Sequence, residues 1–236
     1  MRPSGRRADE LRPISFERKF NDTPAGSVLV SYGKTRVLCT ACIEDSIPKW
    51  LMGKGRGWVT AEYGMLPGST GQRKAREARI GKADSRGLEI SRLIGRCLRS
   101  VVDLGAIRDR TIWLDCDVLQ ADGGTRTAAI SGAYVALRDA LESRRKSWKT
   151  WPLLTSIAGV SAGVVKGEVV LDLDYQEDSS ADVDCNIAMN GESQLVEIQG
   201  SAEGAPFEEA TLHEMLRLCR LGIADITRQQ HLAFEA

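Results

Sequence analysis

A glycine turn that carries an arginine has the clearest chemical character of any segment in this sequence. It spans Asp122 to Thr127 (Asp-Gly-Gly-Thr-Arg-Thr) and lies between a strand-like run and a run with helical spacing. The free N–H groups and the macrodipole at a helix start favour an anion. Thr125 adds a hydroxyl donor, and Arg126 can grip a phosphate with two hydrogen bonds. The turn, with Gly124, is therefore a candidate phosphate site; an ordinary turn with Thr125 as helix cap is the alternative.

A cluster of carboxylates is the second candidate. Asp182 and Asp184 stand two apart at the entry to a predicted strand and therefore face the same side. Asp178 is close enough in sequence to fold back beside Asp184. Such hard oxygen ligands suit Mg²⁺ or Mn²⁺, and a solvated acidic loop is the alternative. The repulsion within the cluster indicates that something cationic lies beside it. The six members are Asp172, Asp174, Glu177, Asp178, Asp182 and Asp184.

The charges of the chain are segregated although the net charge is zero. From Lys54 to Arg99 there are eleven Lys or Arg against four Asp or Glu, whereas Glu168 to Glu214 holds thirteen acidic residues and no Lys or Arg. This pattern predicts that one part of the chain holds a polyanion and the other a cation. Mutual neutralisation of the two halves in the fold is the alternative.

The remaining reactive side chains limit the types of reaction that the sequence predicts. Arg86 lies at the start of a predicted helix, near a second end that favours anions, although a plain surface arginine is the alternative. The two histidines, His213 and His231, lie in C-terminal helical or tail sequence, and neither is assigned a catalytic role. Neither Ser nor Cys occurs in a recognisable nucleophile motif. The sequence therefore favours anion and metal chemistry over covalent catalysis.

The elements that must position these groups indicate an α+β fold. Several strands followed by helix, twice over, predict internal duplication within a single domain of 1–236, with pseudo-repeats of roughly 1–145 and 150–236. The long polar stretch 67–85 predicts a loop that is either functional or disordered. Strands are predicted at 14–20, 27–32, 35–43, 58–63, 111–119, 157–165, 168–174, 183–189 and 194–199, and helices at 85–103, 128–141 and from 206 to 221 and beyond.

The composition is that of a globular chain. Its 236 residues are 42% hydrophobic, which suffices for a packed core. We expect a soluble, cytoplasmic protein, because there is no apolar run of membrane-span length and no signal-peptide core. The six cysteines are scattered, as is typical of reduced, buried thiols. Cys39 and Cys42 are predicted to point to opposite faces of one strand and therefore not to form a metal or redox pair.

Six segments, in order along nearly the whole chain, resemble the ribonuclease PH family of bacterial phosphorolytic exoribonucleases. The single unit length resembles ribonuclease PH more than polynucleotide phosphorylase, which carries two such domains and further RNA-binding modules. The matching segments are Arg2–Arg6, Leu11–Ile14, Gly57–Tyr63, Gln120–Thr127, Glu177–Asp184 and Glu197–Gly204.

The resemblance implies a fold, an assembly and an activity. The fold would be a duplicated α+β arrangement with ribosomal-protein-like βαβ units, assembled as a homo-hexameric ring, a trimer of dimers. The activity would be phosphate-dependent 3′-to-5′ trimming of precursor tRNA extensions and other RNA, with release of nucleoside diphosphates. The same reaction would add nucleotides in reverse. The rivals are a non-catalytic RNA-binding ring subunit, as in exosome-like assemblies, and a metal-dependent hydrolytic nuclease.

The resemblance also implies roles for individual residues. Asp178 and Asp184 would serve a Mg²⁺ or Mn²⁺ ion and the proton transfer, with Asp184 the first choice as proton donor. Many relatives carry Arg where this chain has Gly68, so one RNA-contacting arginine is missing; Cys185 replaces a common Met. Inorganic phosphate would be held by Arg86, Gly124, Thr125 and Arg126, and the RNA 3′ end would pass Arg73, Arg76, Arg79 and Arg99.

Overall fold

The computed structural model describes residues 2–76 and 84–235, so that Arg79 lies outside the described residues. The strands are β1 (Ile14–Arg18), β2 (Gly26–Tyr32), β3 (Thr35–Glu44), β4 (Trp58–Met65), β5 (Thr111–Gln120), β6 (Ile157–Val165), β7 (Glu168–Leu171), β8 (Val183–Asn190) and β9 (Leu195–Ala202). The helices are α1 (Ser85–Arg99), α2 (Thr125–Ser143), the single turn α3 (Tyr175–Asp178) and α4 (Glu209–Glu235).

The first sheet has five strands in the order β1-β2-β3-β5-β4. Its neighbours are antiparallel except β4 and β5, which run parallel. Alternate residues of β3 are buried, so that Cys39 lies in the core and Cys42 is exposed. This confirms the prediction that the two thiols point to opposite faces. All six cysteines are free.

The second sheet is antiparallel, in the order β7-β6-β8-β9. Helix α2 packs against both sheets and is buried along nearly its whole length. Its many small residues permit this: a Cβ on Gly132 would lie 2.5 Å from the Val30 Cγ1. One hydrophobic core therefore runs through both sheets.

The α+β class predicted from the sequence is confirmed, with differences at element ends. The strand predicted at 14–20 stops at Arg18 because Lys19 has φ +56°, and the one predicted at 168–174 stops at Leu171 because Asp172 has φ +53°. The C-terminal helix continues to Glu235, and α1 ends at Arg99, four residues before its predicted end. The division into pseudo-repeats stays a prediction. Among the described helices, none has both the length and the apolarity needed to cross a bilayer.

Candidate active site

The glycine turn joins the end of β5 to the start of α2. Gly123 and Gly124 have φ values of +77° and +65°, a left-handed conformation that favours glycine. A Cβ on Gly123 would also lie 2.6 Å from the carbonyl oxygen of Leu173. The N-cap residue is Gly124, and within the described residues no side chain caps the helix. The alternative in which Thr125 caps the helix is therefore wrong, and the first N–H groups of α2 are available to an anion.

Two side chains fix the carbonyl groups of this turn. Arg12 donates through Nη1 to the carbonyl of Asp122, and its Nη2 lies 2.7 Å from Oδ1 of Asp172. Thr35 donates its hydroxyl to the Gly123 carbonyl at 2.7 Å and accepts from the Asp122 amide at 2.8 Å. The turn is thereby held from the side opposite the helix, which leaves its helical N–H groups open.

The acidic cluster divides into two groups, and the first is bound by arginines near the N-terminus. Arg2 holds Glu177 with two hydrogen bonds of 2.6 and 2.7 Å, and Arg6 approaches the same carboxylate at 3.1 Å. Arg6 also lies 3.5 Å from the carboxylate of Asp172, which pairs with Arg12. For Glu177 and Asp172, arginine side chains therefore supply the cation that the cluster requires. These two carboxylates are buried structural groups.

Asp178 and Asp184 lie in the second group with Asp182, and within the described residues none of the three has an arginine or lysine ion pair. Asp178 ends α3, and Asp184 is the second residue of β8. Burial and then the charge of Asp184 raise the pKa of Asp178. The charges of Arg86 and Arg126 act on the pKa of Asp178 in the opposite direction, as does that of Arg12. Both predicted arginines and both predicted carboxylates are therefore electrostatic neighbours.

Arg126 projects from the first turn of α2 and contacts two side chains from other elements. Its Nη1 lies 2.6 Å from Oε1 of Gln199 on β9 and 3.6 Å from Oε1 of Glu89 on α1. Gln199 in turn donates to Glu89 at 2.9 Å. The guanidinium is thus oriented by a neutral amide and a half-exposed carboxylate.

Tyr63 contacts the glycine turn and lies within the electrostatic range of Arg86. The Tyr63 hydroxyl lies 2.8 Å from the Thr125 hydroxyl. Burial raises the pKa of Tyr63, while the Thr125 hydrogen bond and the charges of Arg86 and Arg126 oppose that rise. The start of α1 is itself capped, because the Asp84 carboxylate accepts from the Arg86 amide at 3.1 Å. Arg86 therefore offers the site its side chain, and the predicted anion-favouring helix end beside it already holds a carboxylate.

The predicted RNA-contacting residues lie away from this cluster or on the surface. Arg73 and Arg76 are exposed in the loop after β4, as is Gly68. Arg99 is at the other end of α1 from Arg86, about 20 Å along the helix axis. Its guanidinium donates to the Val59 carbonyl at 2.8 Å and lies 4.4 Å from the ring centre of Trp58.

The chemistry of the Asp178 and Asp184 carboxylates fits a divalent cation. Mg²⁺ commonly binds one or two carboxylates and completes its coordination with waters and substrate phosphates. Asp178 and Asp184 supply such a pair, and a cation would relieve the repulsion that raises the pKa of Asp178. Among the described residues, no group of three or more His, Cys, Asp or Glu is placed to hold a metal ion by itself.

Sequence reasoning missed several residues of the site, among them Arg12, Tyr63 and Gln199. Each lies inside a segment that carried the family resemblance, but none stands in a local motif with a chemical meaning of its own. Arg12 precedes a proline in an extended segment, and Tyr63 and Gln199 lie in ordinary strands. The only available signal was their presence in these matching segments.

Comparison with solved structures agrees with the fold. The structure is similar to rice (Oryza sativa) Rrp46, with a TM-score of 0.77 and 19% identity over 98% of each chain. It is also similar to a chain of the Archaeoglobus fulgidus exosome with RNA bound to the active site, with a TM-score of 0.83 and 20% identity over 97% of this chain and 92% of that one. An archaeal exosome core chain matches all of this chain and 91% of its own length, with a TM-score of 0.77 and 20% identity.

These identities speak for the fold, and the sequence itself matches family models across most of its length. Domain 1 of the 3′ exoribonuclease family (RNase_PH) matches residues 10–141, and domain 2 (RNase_PH_C) matches residues 155–220. With both domains present in order, the chain belongs to the 3′ exoribonuclease family of ribonuclease PH.

Proposed function

We propose that this protein is a phosphate-dependent 3′-to-5′ exoribonuclease that shortens RNA by phosphorolysis and releases nucleoside diphosphates. The observation that carries the proposal is the electrostatic proximity of Arg86 and Arg126, from two different helices, to the carboxylates of Asp178 and Asp184. The reaction is reversible, so the same site adds nucleotides when diphosphates are abundant. We further propose precursor tRNA with a 3′ extension as the substrate, with other RNAs, including ribosomal RNA, as additional ones.

Phosphorolysis brings a phosphate dianion up to a phosphodiester that repels it. The guanidinium groups of Arg86 and Arg126 offset this repulsion, and the first N–H groups of α2 and the Thr125 hydroxyl orient the attacking phosphate. In phosphoryl transfer, positioning and charge neutralisation are the main contributions of a protein. Because the glycine turn is fixed by Arg12 and Thr35, these donors are held in place before phosphate binds.

Asp178 and Asp184 have two tasks in this proposal. They hold Mg²⁺ or Mn²⁺, which when bound stabilises charge on phosphate oxygens. One of them also delivers the proton that the leaving 3′ oxygen requires. Asp184 is the first choice as this donor and Asp178 the second. A cation held by the pair would relieve the repulsion that raises the pKa of Asp178, so this rise does not reverse the order.

An assembly and a location are further parts of the proposal. We propose a ring of six copies, a trimer of dimers, as the working form, because the similar solved chains come from exosome cores. The free thiols of all six cysteines fit a reducing compartment such as the cytoplasm.

A non-catalytic ring subunit is the main alternative, since exosome-type chains share this fold. Such a subunit would need neither a phosphate clamp nor a free carboxylate pair. This chain retains both, and the described structure keeps Asp178 and Asp184 out of the arginine network that binds Glu177. The presence of both features favours an enzyme over a non-catalytic subunit.

One experiment separates the alternatives. The full chain is incubated with a 3′-extended tRNA and Mg²⁺, with and without inorganic phosphate, and the released nucleotides are identified. We expect nucleoside diphosphates, and only when phosphate is present. Monophosphates would indicate a hydrolytic nuclease, and no release would indicate a non-catalytic subunit.

A variant then tests the phosphate clamp. Arg126→Ala removes one of the two guanidinium groups, so the phosphate concentration at half-maximal rate should rise steeply. Arg138→Ala is the control, because Arg138 is on the same helix but stacks on Phe234. Unchanged phosphate dependence in Arg126→Ala would show that the clamp is assigned wrongly.

A further inference from the structure

A groove of about 400 Å³ opens between α2 and α4, away from the candidate active site. This volume is typical of a small-molecule site. The groove, called the α2–α4 groove below, is lined by Tyr134 and Arg138 of α2, by His231 of α4 and by the segment 151–156 before β6. Arg138 stands thirteen positions after Thr125 on α2, about 20 Å along the helix axis. The groove is therefore separate from the phosphate turn.

The charge in the walls of the α2–α4 groove is positive. Arg138 and His231 both line it, and within the described residues neither forms an ion pair with a carboxylate. The Arg138 guanidinium lies 3.6 Å from the ring centre of Phe234, a contact that holds the cation in place. None of the described residues that line the groove is acidic. An anion in the groove would thus meet cations without a competing carboxylate in the walls.

The carboxylates around the groove are paired or exposed. Glu192, beside Gly191, and Glu235, beside Phe234, are exposed, so that solvent and salt screen their charges. Three others each pair with an arginine: Asp139 with Arg18, Glu142 with Arg145, and Asp225 with Arg228. Arg138 and His231 are therefore the cations that the groove itself offers to a ligand.

Two hydroxyl groups add hydrogen-bond donors to the groove. They belong to Thr155 and to Ser156, which is 7% exposed, and in the described part of the chain neither hydroxyl has a hydrogen-bond partner. Gly191 lies beside both, because a Cβ at this position would stand 2.5 Å from the Ser156 Oγ and 2.7 Å from the Thr155 Oγ1. The missing side chain at Gly191 thus keeps both hydroxyls open to a ligand oxygen.

Trp151 gives the groove a flat aromatic wall. Its indole is half-buried, and the Arg145 guanidinium lies 4.2 Å from the ring centre, which fixes the ring by packing. Leu154, on the same segment, is 64% exposed and extends the apolar surface. A planar base packs well against an aromatic ring of this kind. Phosphate donors and an indole in one small groove match the two ends of a nucleotide.

We propose that the α2–α4 groove is a binding site for a free nucleotide. The phosphate groups accept hydrogen bonds from Arg138, His231 and the hydroxyls of Thr155 and Ser156, and the base packs against Trp151. Two cations and a volume of about 400 Å³ suit one nucleotide rather than a length of RNA chain. The site does not depend on the proposed function, because none of its residues belongs to the candidate active site.

Equilibrium dialysis with ADP tests the site. The titration uses the full chain with Arg126→Ala, in which binding at the phosphate turn is weakened. Adding Arg138→Gln should weaken the remaining ADP binding about tenfold or more, as for a lost charged hydrogen bond. Adding Ser156→Ala instead removes a single hydroxyl with little effect on packing and should weaken ADP binding but not adenosine binding. Arg228→Gln is the matched control, because it removes the same charge from α4, where Arg228 pairs with Asp225.

Three further ligands distinguish a nucleotide from its parts and from RNA. Adenosine lacks the phosphate groups, inorganic phosphate lacks the base, and a hexanucleotide RNA carries both in a chain. We expect ADP to bind more tightly than adenosine or phosphate. A photoreactive azido derivative of ADP should label the peptide that contains Trp151 and Ser156.

Several results would overturn the nucleotide site. These are ADP binding that Arg138→Gln and Ser156→Ala leave unchanged, labelling elsewhere, or sensitivity of the hexanucleotide alone to the two variants. Variants that alter only the sedimentation of the protein would also overturn it, since the groove would then be a contact between copies of the chain. Failure of phosphate-dependent release by the wild type would instead overturn the proposed function and leave the nucleotide site unaffected.

Discussion

Arg12 and Asp172 lie 160 residues apart in the sequence and form an ion pair whose side chains are 6% and 1% exposed. The same guanidinium donates to the carbonyl of Asp122, at the start of the phosphate turn. Asp172 takes up a left-handed backbone conformation, φ +53°, at the point where β7 ends. One arginine near the N-terminus thus joins the glycine turn of the first sheet to the acidic segment of the second.

Arg12→Leu should destabilise the fold strongly. It leaves the buried Asp172 carboxylate without its main partner, and breaking such a pair costs about 3–5 kcal/mol. Urea unfolding measures the change in the free energy of unfolding. Arg7→Leu is the control, because Arg7 is exposed and, within the described residues, forms an ion pair with the neighbouring Asp9 alone. Equal stability of the two variants would contradict a structural role for the Arg12–Asp172 pair.

Gln199→Glu should weaken phosphate binding selectively. The new carboxylate would pair with Arg126, which in the wild type donates to the neutral Gln199 amide oxygen at 2.6 Å, and would compete with phosphate. We expect the KM for phosphate to rise about tenfold, as for a gained charged hydrogen bond, with little change in the KM for RNA. Gln194→Glu makes the same charge change in the β8–β9 hairpin, where the Gln194 side chain accepts a hydrogen bond from Asn190 and, in the part of the chain that the structure describes, has no other side-chain partner. If both variants respond alike, the effect is one of net charge.

Asp184→Asn should abolish turnover while RNA still binds. The substitution keeps the shape of the side chain but removes one of two proposed metal ligands. Added Mg²⁺ should therefore raise the thermal unfolding midpoint of the wild type and not that of the variant, because only a folded state with a binding site is stabilised. Asp22→Asn, at an exposed position between β1 and β2, is the control. A Mg²⁺ shift that survives in Asp184→Asn would place the metal elsewhere.

Gly68→Arg should strengthen RNA binding. Gly68 is exposed, and a Cβ placed there meets no atom within 4 Å, so the side chain can be accommodated. One additional phosphate contact should steepen the dependence of log K on log salt by about 0.7 for a single strand. Ser147→Arg adds the same charge beyond the far end of α2 and should leave the slope unchanged. Equal slopes for the two variants would show that bound RNA does not pass Gly68.

The stability of the protein should fall in acid partly through Glu177. Burial by itself would raise the pKa of Glu177, but the Arg2 hydrogen bond and the charges of Arg2 and Arg6 outweigh it and lower the pKa below 4.5. The contribution is therefore complete above pH 4.5 and is lost as the pH falls through the lowered value. Unfolding free energies measured against pH in chelator should show a shallower acid decline for Arg2→Leu. A decline as steep as that of the wild type would exclude Glu177 as a cause.

The sequence by itself determined the fold class and most strands, and it predicted the chemistry of the site. The alternation in β3 and β5 and the glycine pair before α2 are local patterns with physical causes, and they predicted these elements within a few residues. The segregated charges likewise predicted an acidic segment in need of a cation. Gly123 is an example of such a local cause, because its turn requires a left-handed backbone regardless of the tertiary contacts around it.

Only the tertiary structure decided which carboxylates are available for chemistry. Asp172 and Asp178 look alike in the sequence, yet Asp172 is bound by Arg12 and Asp178 has no such partner within the described residues. Pairing depends on contacts across more than a hundred residues, and no local pattern encodes those distances. For the same reason, Gln199 and Tyr63 could be recognised as site residues only from the tertiary structure, which places β9 and β4 beside the start of α2.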